Sequence, residues 1–211
     1  MKVKLCGIRR PEDIGYMNEF KPDYVGFVFA GKKRRVTPLQ AATLAEKLDK
    51  SVMRVGVFVN EDVKRIDGTV RIAGLDAVQL HGDETAEAVK ALRSLLPHGV
   101  RIWKAVRVSS SKSIQAALKL GADCLLLDSF SPAEYGGTGK TADFGLIKEA
   151  KLSVPFFLAG GLNAGNIMDA IRGVSPSGVD ISSGIETGGV KDRRKIKEII
   201  EMLKNNNLLE H

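Results

Sequence analysis

Short apolar runs alternate along this chain with amphipathic stretches, separated by polar or glycine-containing loops. The runs fall at residues 3–6, 24–29, 53–59, 77–80, 100–106, 124–128, 156–159 and 179–181. Each is nearly continuous in apolar side chains and reads as a strand buried on both faces. Between them, residues 38–48, 84–96, 111–120 and 191–203 carry apolar side chains at helical spacing. Thr37 before Pro38 is an N-cap followed by proline at the first helical position, and Asn163 precedes another helical stretch.

Strands of this kind interleaved with helices predict a parallel sheet covered on both sides. Eight units predict closure into one (β/α)8 TIM barrel over residues 1–206, at about 26 residues per unit. A doubly wound open sheet is the competing arrangement. The count of eight favours the barrel, as does the lack of a Gly-x-Gly-x-x-Gly turn after the first run. No linker or low-complexity tract divides the chain. Residues 207–211 read as a tail, with Leu209-Glu210-His211 resembling the start of an expression tag.

In such a barrel, chemistry gathers where strands enter their following loops. The first run ends in Cys6-Gly7, the fourth places Gln79 and His81 on one side, the sixth ends at Asp128, and the eighth carries Asp180. For Cys6 the competing reading is a small buried hydrophobe, because free cysteine is among the most buried residue types. Gly160 and Gly161 after the seventh run, with Ser182, Ser183 and Gly184 after the eighth, offer amides and hydroxyls suited to a phosphate dianion. The competing reading for the two adjacent glycines is a plain tight turn. Glu134-Tyr135-Gly136-Gly137-Thr138-Gly139-Lys140-Thr141 imitates a nucleotide-binding P-loop, but Glu134 stands where that motif requires glycine and Pro132 separates it from the strand. Its glycine-rich centre, Gly136 to Gly139, reads instead as a lid.

Composition narrows the function. Hydrophobic residues make up 44% and charged residues 27% of the 211 positions, as in an ordinary soluble globular protein. No apolar run approaches the roughly 18 residues a membrane span needs, and no signal peptide precedes the first strand, so a cytoplasmic location is expected. Cys6 and Cys124, far apart in sequence, predict two free thiols rather than a disulfide framework. The net charge of +7 could indicate nucleic acid, but much of it falls on predicted helix faces such as residues 191–204. The densest cluster, Lys32-Lys33-Arg34-Arg35, has no interleaved aromatics and suits an anionic small molecule better. His81 lacks a second ligand at metal-binding spacing, so no metal is assigned.

Several strings then converge. Lys4-Leu5-Cys6-Gly7, Gly26-Phe27-Val28-Phe29, Gly56-Val57-Phe58-Val59-Asn60, Val78-Gln79-Leu80-His81-Gly82, Leu127-Asp128-Ser129, Gly136-Gly137-Thr138-Gly139, Leu158-Ala159-Gly160-Gly161-Leu162 and Asp180-Ile181-Ser182-Ser183-Gly184-Ile185-Glu186 together resemble phosphoribosylanthranilate isomerase. The resemblance runs from Met1 to about Leu203. It implies a cofactor-free Amadori rearrangement in tryptophan biosynthesis. In the family the aspartate ending strand 6, here Asp128, is the general acid, and the cysteine ending strand 1, here Cys6, is the general base. An arginine in the loop after strand 2 pairs with the substrate carboxylate. Counting back from Val36 assigns that position to Arg34, with Arg35 as the alternative. Lys4, on the strand face of Cys6, is expected either to favour the thiolate or to serve an interior structural role. Lys4, Gln79, His81 and Asp180 are further candidate substrate contacts. The expected partner is an anionic small molecule, with neither nucleic acid nor membrane, and the protein a monomer or homodimer.

Overall fold

The computed structural model describes residues 1–128 and 144–209. Eight parallel strands, β1 (Lys2–Cys6), β2 (Tyr24–Val28), β3 (Met53–Phe58), β4 (Ala77–Leu80), β5 (Arg101–Arg107), β6 (Cys124–Asp128), β7 (Phe156–Ala159) and β8 (Gly178–Ile181), close into a barrel. Closure is explicit, because β1 pairs in parallel with both β2 and β8. The open-sheet alternative is thereby removed.

Helices α1 (Pro11–Phe20), α2 (Pro38–Ala45), α3 (Val63–Ala73), α4 (Ala86–Leu95), α5 (Ser111–Leu118), α6 (Phe144–Glu149), α7 (Ile167–Val174) and α8 (Arg193–Asn205) follow the strands in turn. Their ends have local causes. Thr37 accepts from the Gln40 amide while the Gln40 side chain accepts from the Thr37 amide, and Pro38 supplies a preset φ to start α2. Asp62 caps α3 through the amides of Lys64 and Arg65, and Gly74 ends it in a left-handed conformation at φ 58°.

Two apolar layers result. The larger lies between strands and helices, where Leu5, Phe27, Leu80, Leu127 and Leu158 meet helix residues such as Met17, Leu92 and Ile199. The smaller fills the lumen with Tyr24, Val55, Ala77, Trp103, Cys124, Leu126 and Phe157. Its three rings pack with centroids 4.7 to 5.6 Å apart. Fully burying a side chain of Val, Leu or Phe size stabilises by roughly 1.5–3 kcal/mol relative to leaving it in water. The strands therefore bury both faces, and their polar side chains gather at the C-terminal mouth of the lumen or, like Lys4 and Lys104, are buried with partners.

One sequence expectation is corrected near the C-terminus. Lys191 does not open a helix. It belongs to a hairpin, β9 (Glu186–Thr187) and β10 (Val190–Lys191), which follows a short 3-10 turn at Ser183–Ile185. Gly188 and Gly189 supply the two consecutive positive φ values, 58° and 78°, that a tight two-residue hairpin loop needs. Lys191 is consequently 3% exposed instead of lying on a solvated helix face. Leu208 and Leu209, read from sequence as tail, pack against the core. The proposed lid, Gly136 to Gly139, lies outside the described residues, as do Glu210 and His211.

Candidate active site

A cavity of about 360 Å³ opens at the C-terminal ends of the strands. Cys6, Gln79, His81, Asp128, Gly160, Gly161, Asp180, Ser182 and Ser183 all line it, with Val28, Val57 and Leu126 supplying apolar wall. The strand order places β7 and β8 between β6 and β1 around the rim, so the two glycines and two serines lie between Asp128 and Cys6.

Cys6 occupies space that a glycine leaves for it. Gly26 is its partner in register across β1 and β2, and a Cβ there would fall 2.6 Å from Sγ. Beneath the thiol, the fully buried Lys4 gives its Nζ to Asp180 Oδ1 at 2.9 Å. Lys4 does not line the cavity; Asp180 does. Burial works against the Lys4 charge, but Asp180 and then Cys6 outweigh it and leave the ammonium pKa above its ordinary value. For Cys6 the balance reverses, since burial, joined by the Asp180 carboxylate, raises the thiol pKa more than Lys4 and Lys191 lower it.

Opposite, Gln79 and His81 are joined by a 2.8 Å contact between Nε2 and Nδ1. With the amide donating, the imidazole proton rests on Nε2. Burial lowers the His81 pKa against the pull of Asp180 and Asp128, so a neutral ring faces the cavity at neutral pH. Among the described residues, the buried side-chain polar atoms without a hydrogen-bond partner are Gln79 Oε1 and Trp103 Nε1. Lys104 anchors this wall through Glu84 at 2.9 Å and the carbonyls of Leu80 and Gly82.

The two loops assigned to phosphate are interlocked. Gly160 and Gly161 both have positive φ, 101° and 61°. Ser182 Oγ donates to the Cys6 carbonyl at 3.1 Å. A Cβ at Gly184 would fall 1.8 Å from the Leu162 carbonyl oxygen, so this glycine lets the loops touch without lining the cavity itself.

Arg34 lies beside the mouth. Its stem crosses Gly7, where a Cβ would meet Arg34 Cδ at 2.5 Å. Nε and Nη2 of Arg34 donate to Glu186 Oε1 and Oε2 at 2.7 and 2.6 Å. Glu186 also receives Lys191 Nζ at 2.7 Å, and the same ammonium donates to the Ser182 carbonyl at 3.0 Å. Burial alone would raise the Glu186 pKa, but hydrogen bonds from Arg34 and Lys191 outweigh it and hold the carboxyl at about 2. Arg35 is exposed, outside the main cavity. Glu186, Lys191 and Glu84 were not read from sequence as site residues. The Gly188-Gly189 pair is the signal that could have exposed the first two, because a hairpin turn there makes Glu186 and Lys191 cross-strand partners.

Comparison with known proteins gives a consistent result. Residues 3–202 match the family model described as N-(5'phosphoribosyl)anthranilate (PRA) isomerase. The N-(5'-phosphoribosyl)anthranilate isomerase of Thermoanaerobacter sp. (strain X514) is 44% identical, covering 97% of this chain and 98% of its own. That of Clostridium acetobutylicum is 45% identical, with 95% and 96% covered. Among solved structures, phosphoribosyl anthranilate isomerase from Thermotoga maritima superposes with a TM-score of 0.86 at 39% identity, covering 97% of this chain and 99% of that one. A phosphoribosyl anthranilate isomerase in complex with reduced 1-(o-carboxyphenylamino)-1-deoxyribulose 5-phosphate gives a TM-score of 0.83 at 36% identity, over the same shares.

Proposed function

This chain belongs to the N-(5'-phosphoribosyl)anthranilate isomerase family, and from that premise we propose how its own residues divide the work. The reaction is the Amadori rearrangement of N-(5'-phosphoribosyl)anthranilate to 1-(2-carboxyphenylamino)-1-deoxyribulose 5-phosphate, a step of tryptophan biosynthesis. Asp128 gives a proton to the ribose ring oxygen as the bond from that oxygen to C1 breaks, and the nitrogen lone pair forms an iminium ion. The iminium acidifies C2. Cys6, as thiolate, removes the C2 proton, and the electrons of that bond neutralise the iminium to an enolamine. Gain of a proton at C1 and loss of one from the C2 hydroxyl give the ketone. No net redox change occurs, and neither step calls for more than a proton donor and a proton acceptor on opposite sides of the sugar.

The observation that carries this reading is that Cys6 and Asp128 line one cavity with the β7 and β8 loops between them. Gly160, Gly161, Ser182 and Ser183 receive the phosphate, so the sugar bridges acid and base. The aromatic ring then extends toward β2, where Arg34 reads the carboxylate. Neutral His81, with Gln79, hydrogen-bonds sugar hydroxyls, and Lys4, held by Asp180, favours the thiolate of Cys6 directly.

The test is turnover of freshly generated phosphoribosylanthranilate, followed as loss of its anthranilate fluorescence. Wild type consumes the substrate, and Asp128→Asn and Cys6→Ser each lose most of kcat. Full turnover in either variant would remove that residue from its role. We further propose a cytosolic monomer or homodimer. A dimeric phosphoribosylanthranilate isomerase is described from Thermotoga maritima, and sedimentation of this protein across a concentration range decides between the two states.

A further inference from the structure

A guanidinium has two forks that can each hold a carboxylate, and in Arg34 one of them is already taken. Glu186 occupies the Nε and Nη2 edge. The edge made by Nη1 and the outer hydrogen of Nη2 has no partner among the described residues. We propose that Glu186, held by Lys191, is the positioning residue that aims this second edge of Arg34 at the carboxylate of the substrate. The inference rests on the reading of Arg34 given above.

Three features support it. Arg34 is seated along its stem, which lies so close over Gly7 that a Cβ there would fall 2.5 Å from Cδ. It is fixed at its tip by a bidentate pair, a geometry that sets both the plane and the direction of a guanidinium. The charge balance still favours an anion, since Arg34 and Lys191 together carry two positive charges against the single negative charge of Glu186. Without Lys191 the pair would be neutral, and the free fork would attract a carboxylate far less. Lys191 also donates to the Ser182 carbonyl, and Lys195 Nζ to the Glu186 carbonyl at 2.6 Å. The arm that reads one end of the substrate is thus built onto the loop that receives the other.

Two ligands separate this role from a merely structural one: reduced 1-(2-carboxyphenylamino)-1-deoxyribulose 5-phosphate, and its counterpart lacking the ring carboxylate. In Glu186→Gln, affinity for the carboxylated ligand falls about tenfold or more, while affinity for the other changes less than about twofold. In turnover, KM rises with kcat little altered. Glu186→Asp keeps a charge beside buried Lys191 but shortens the reach to Arg34, and gives the same selective loss at smaller size. It also carries the test if the glutamine variant fails to fold. Equal losses for both ligands, or none for either, overturn the proposal. Arg34→Ala distinguishes the two layers. If that variant keeps the preference for the carboxylated ligand, the reading of Arg34 fails. If it abolishes the preference while both Glu186 variants retain it, only the role of Glu186 fails.

Discussion

Cys6 and Cys124 face the same lumen from opposite ends, 7% and 5% exposed, and burial raises the pKa of both thiols. What differs is the company of the sulfur. Around Cys124 lie Trp103, Phe157 and Tyr24, and burial overrides the pull of Arg101 and pushes its thiol up to about 12. Around Cys6, Lys4 and Lys191 work against burial and the cavity opens directly onto the side chain. Burial alone makes a cysteine inert. Cations act on both sulfurs, so it is the opening to substrate, with Lys4 on the same strand face, that separates a candidate base from a packing residue.

The strongest way to break this comparison is to remove each sulfur in turn. Cys6→Ala should reduce kcat by about 10²–10⁴, the range for losing a general base, with KM little changed. Cys124→Ala should leave turnover within about twofold and lower the unfolding free energy measured in urea by roughly 1 kcal/mol for the lost packing. Equal catalytic losses would end the distinction.

Next in size is Gly26→Ala, which places a methyl carbon 2.6 Å from Sγ and close to the Cys6 backbone, 3.1 Å from Cα. Turnover should fall at least about tenfold through displacement of the base, and overpacking should cost about 1–3 kcal/mol in urea denaturation. In a Cys6→Ala background the same substitution should destabilise less, because the closest contact, with Sγ, is removed while those with Cα and Cβ of residue 6 remain. Simple additivity would show that the glycine serves something other than the thiol.

A smaller effect concerns ionisation. Iodoacetamide at pH 8 should label Cys6 at least about tenfold faster than Cys124, and the Cys6 rate should climb with pH through the alkaline range because burial has raised its pKa. Lys4→Met withdraws the cation and should move that climb further upward. An unchanged profile would mean that Lys4 has only a structural role.

The smallest effect extends the contrast to Glu186, where cations prevail over burial. Its carboxyl is lowered from 4.5 to about 2. The sign follows directly: the folded state holds the ionised form more tightly than the unfolded chain does, so this stabilisation is full above the unfolded value. It is lost as pH falls from there through about 2. Glu186→Gln should flatten the dependence of the denaturation midpoint on pH within that window and leave it unaltered above.

The barrel was legible because its strands are buried twice over. Residues 77–80, 124–128 and 156–159 were bounded correctly from sequence alone, since lumen and helix layers both demand apolar side chains there. The region after β8 was not legible in the same way. Residues 191–203 do carry helical periodicity, but α8 starts only at Arg193, because the turn at Gly188 and Gly189 draws Lys191 into β10 and Asp192 serves as the helix N-cap. A strand-end rule finds Cys6, Asp128 and Asp180, because each projects from the barrel itself. It does not find partners that meet across the rim, such as Arg34 with Glu186, whose 152-residue separation leaves no mark on local pattern. Nor can spacing report that Lys4 lies wholly beneath the cavity, because alternation gives the face of a strand and not its depth.

The empty place at Gly26 has a consequence for how this protein can vary through inheritance. Sγ and a Cβ at position 26 would claim the same volume, so selection cannot adjust one position without the other. A side chain at position 26 would press on the backbone of residue 6 whatever stands there, and hardest on a thiol, so a cysteine at position 6 can persist only while position 26 stays bare. Although 20 residues apart, the two positions form a single unit of descent, and the glycine is held in place by the neighbouring strand as well as by the sulfur of a reaction it never touches.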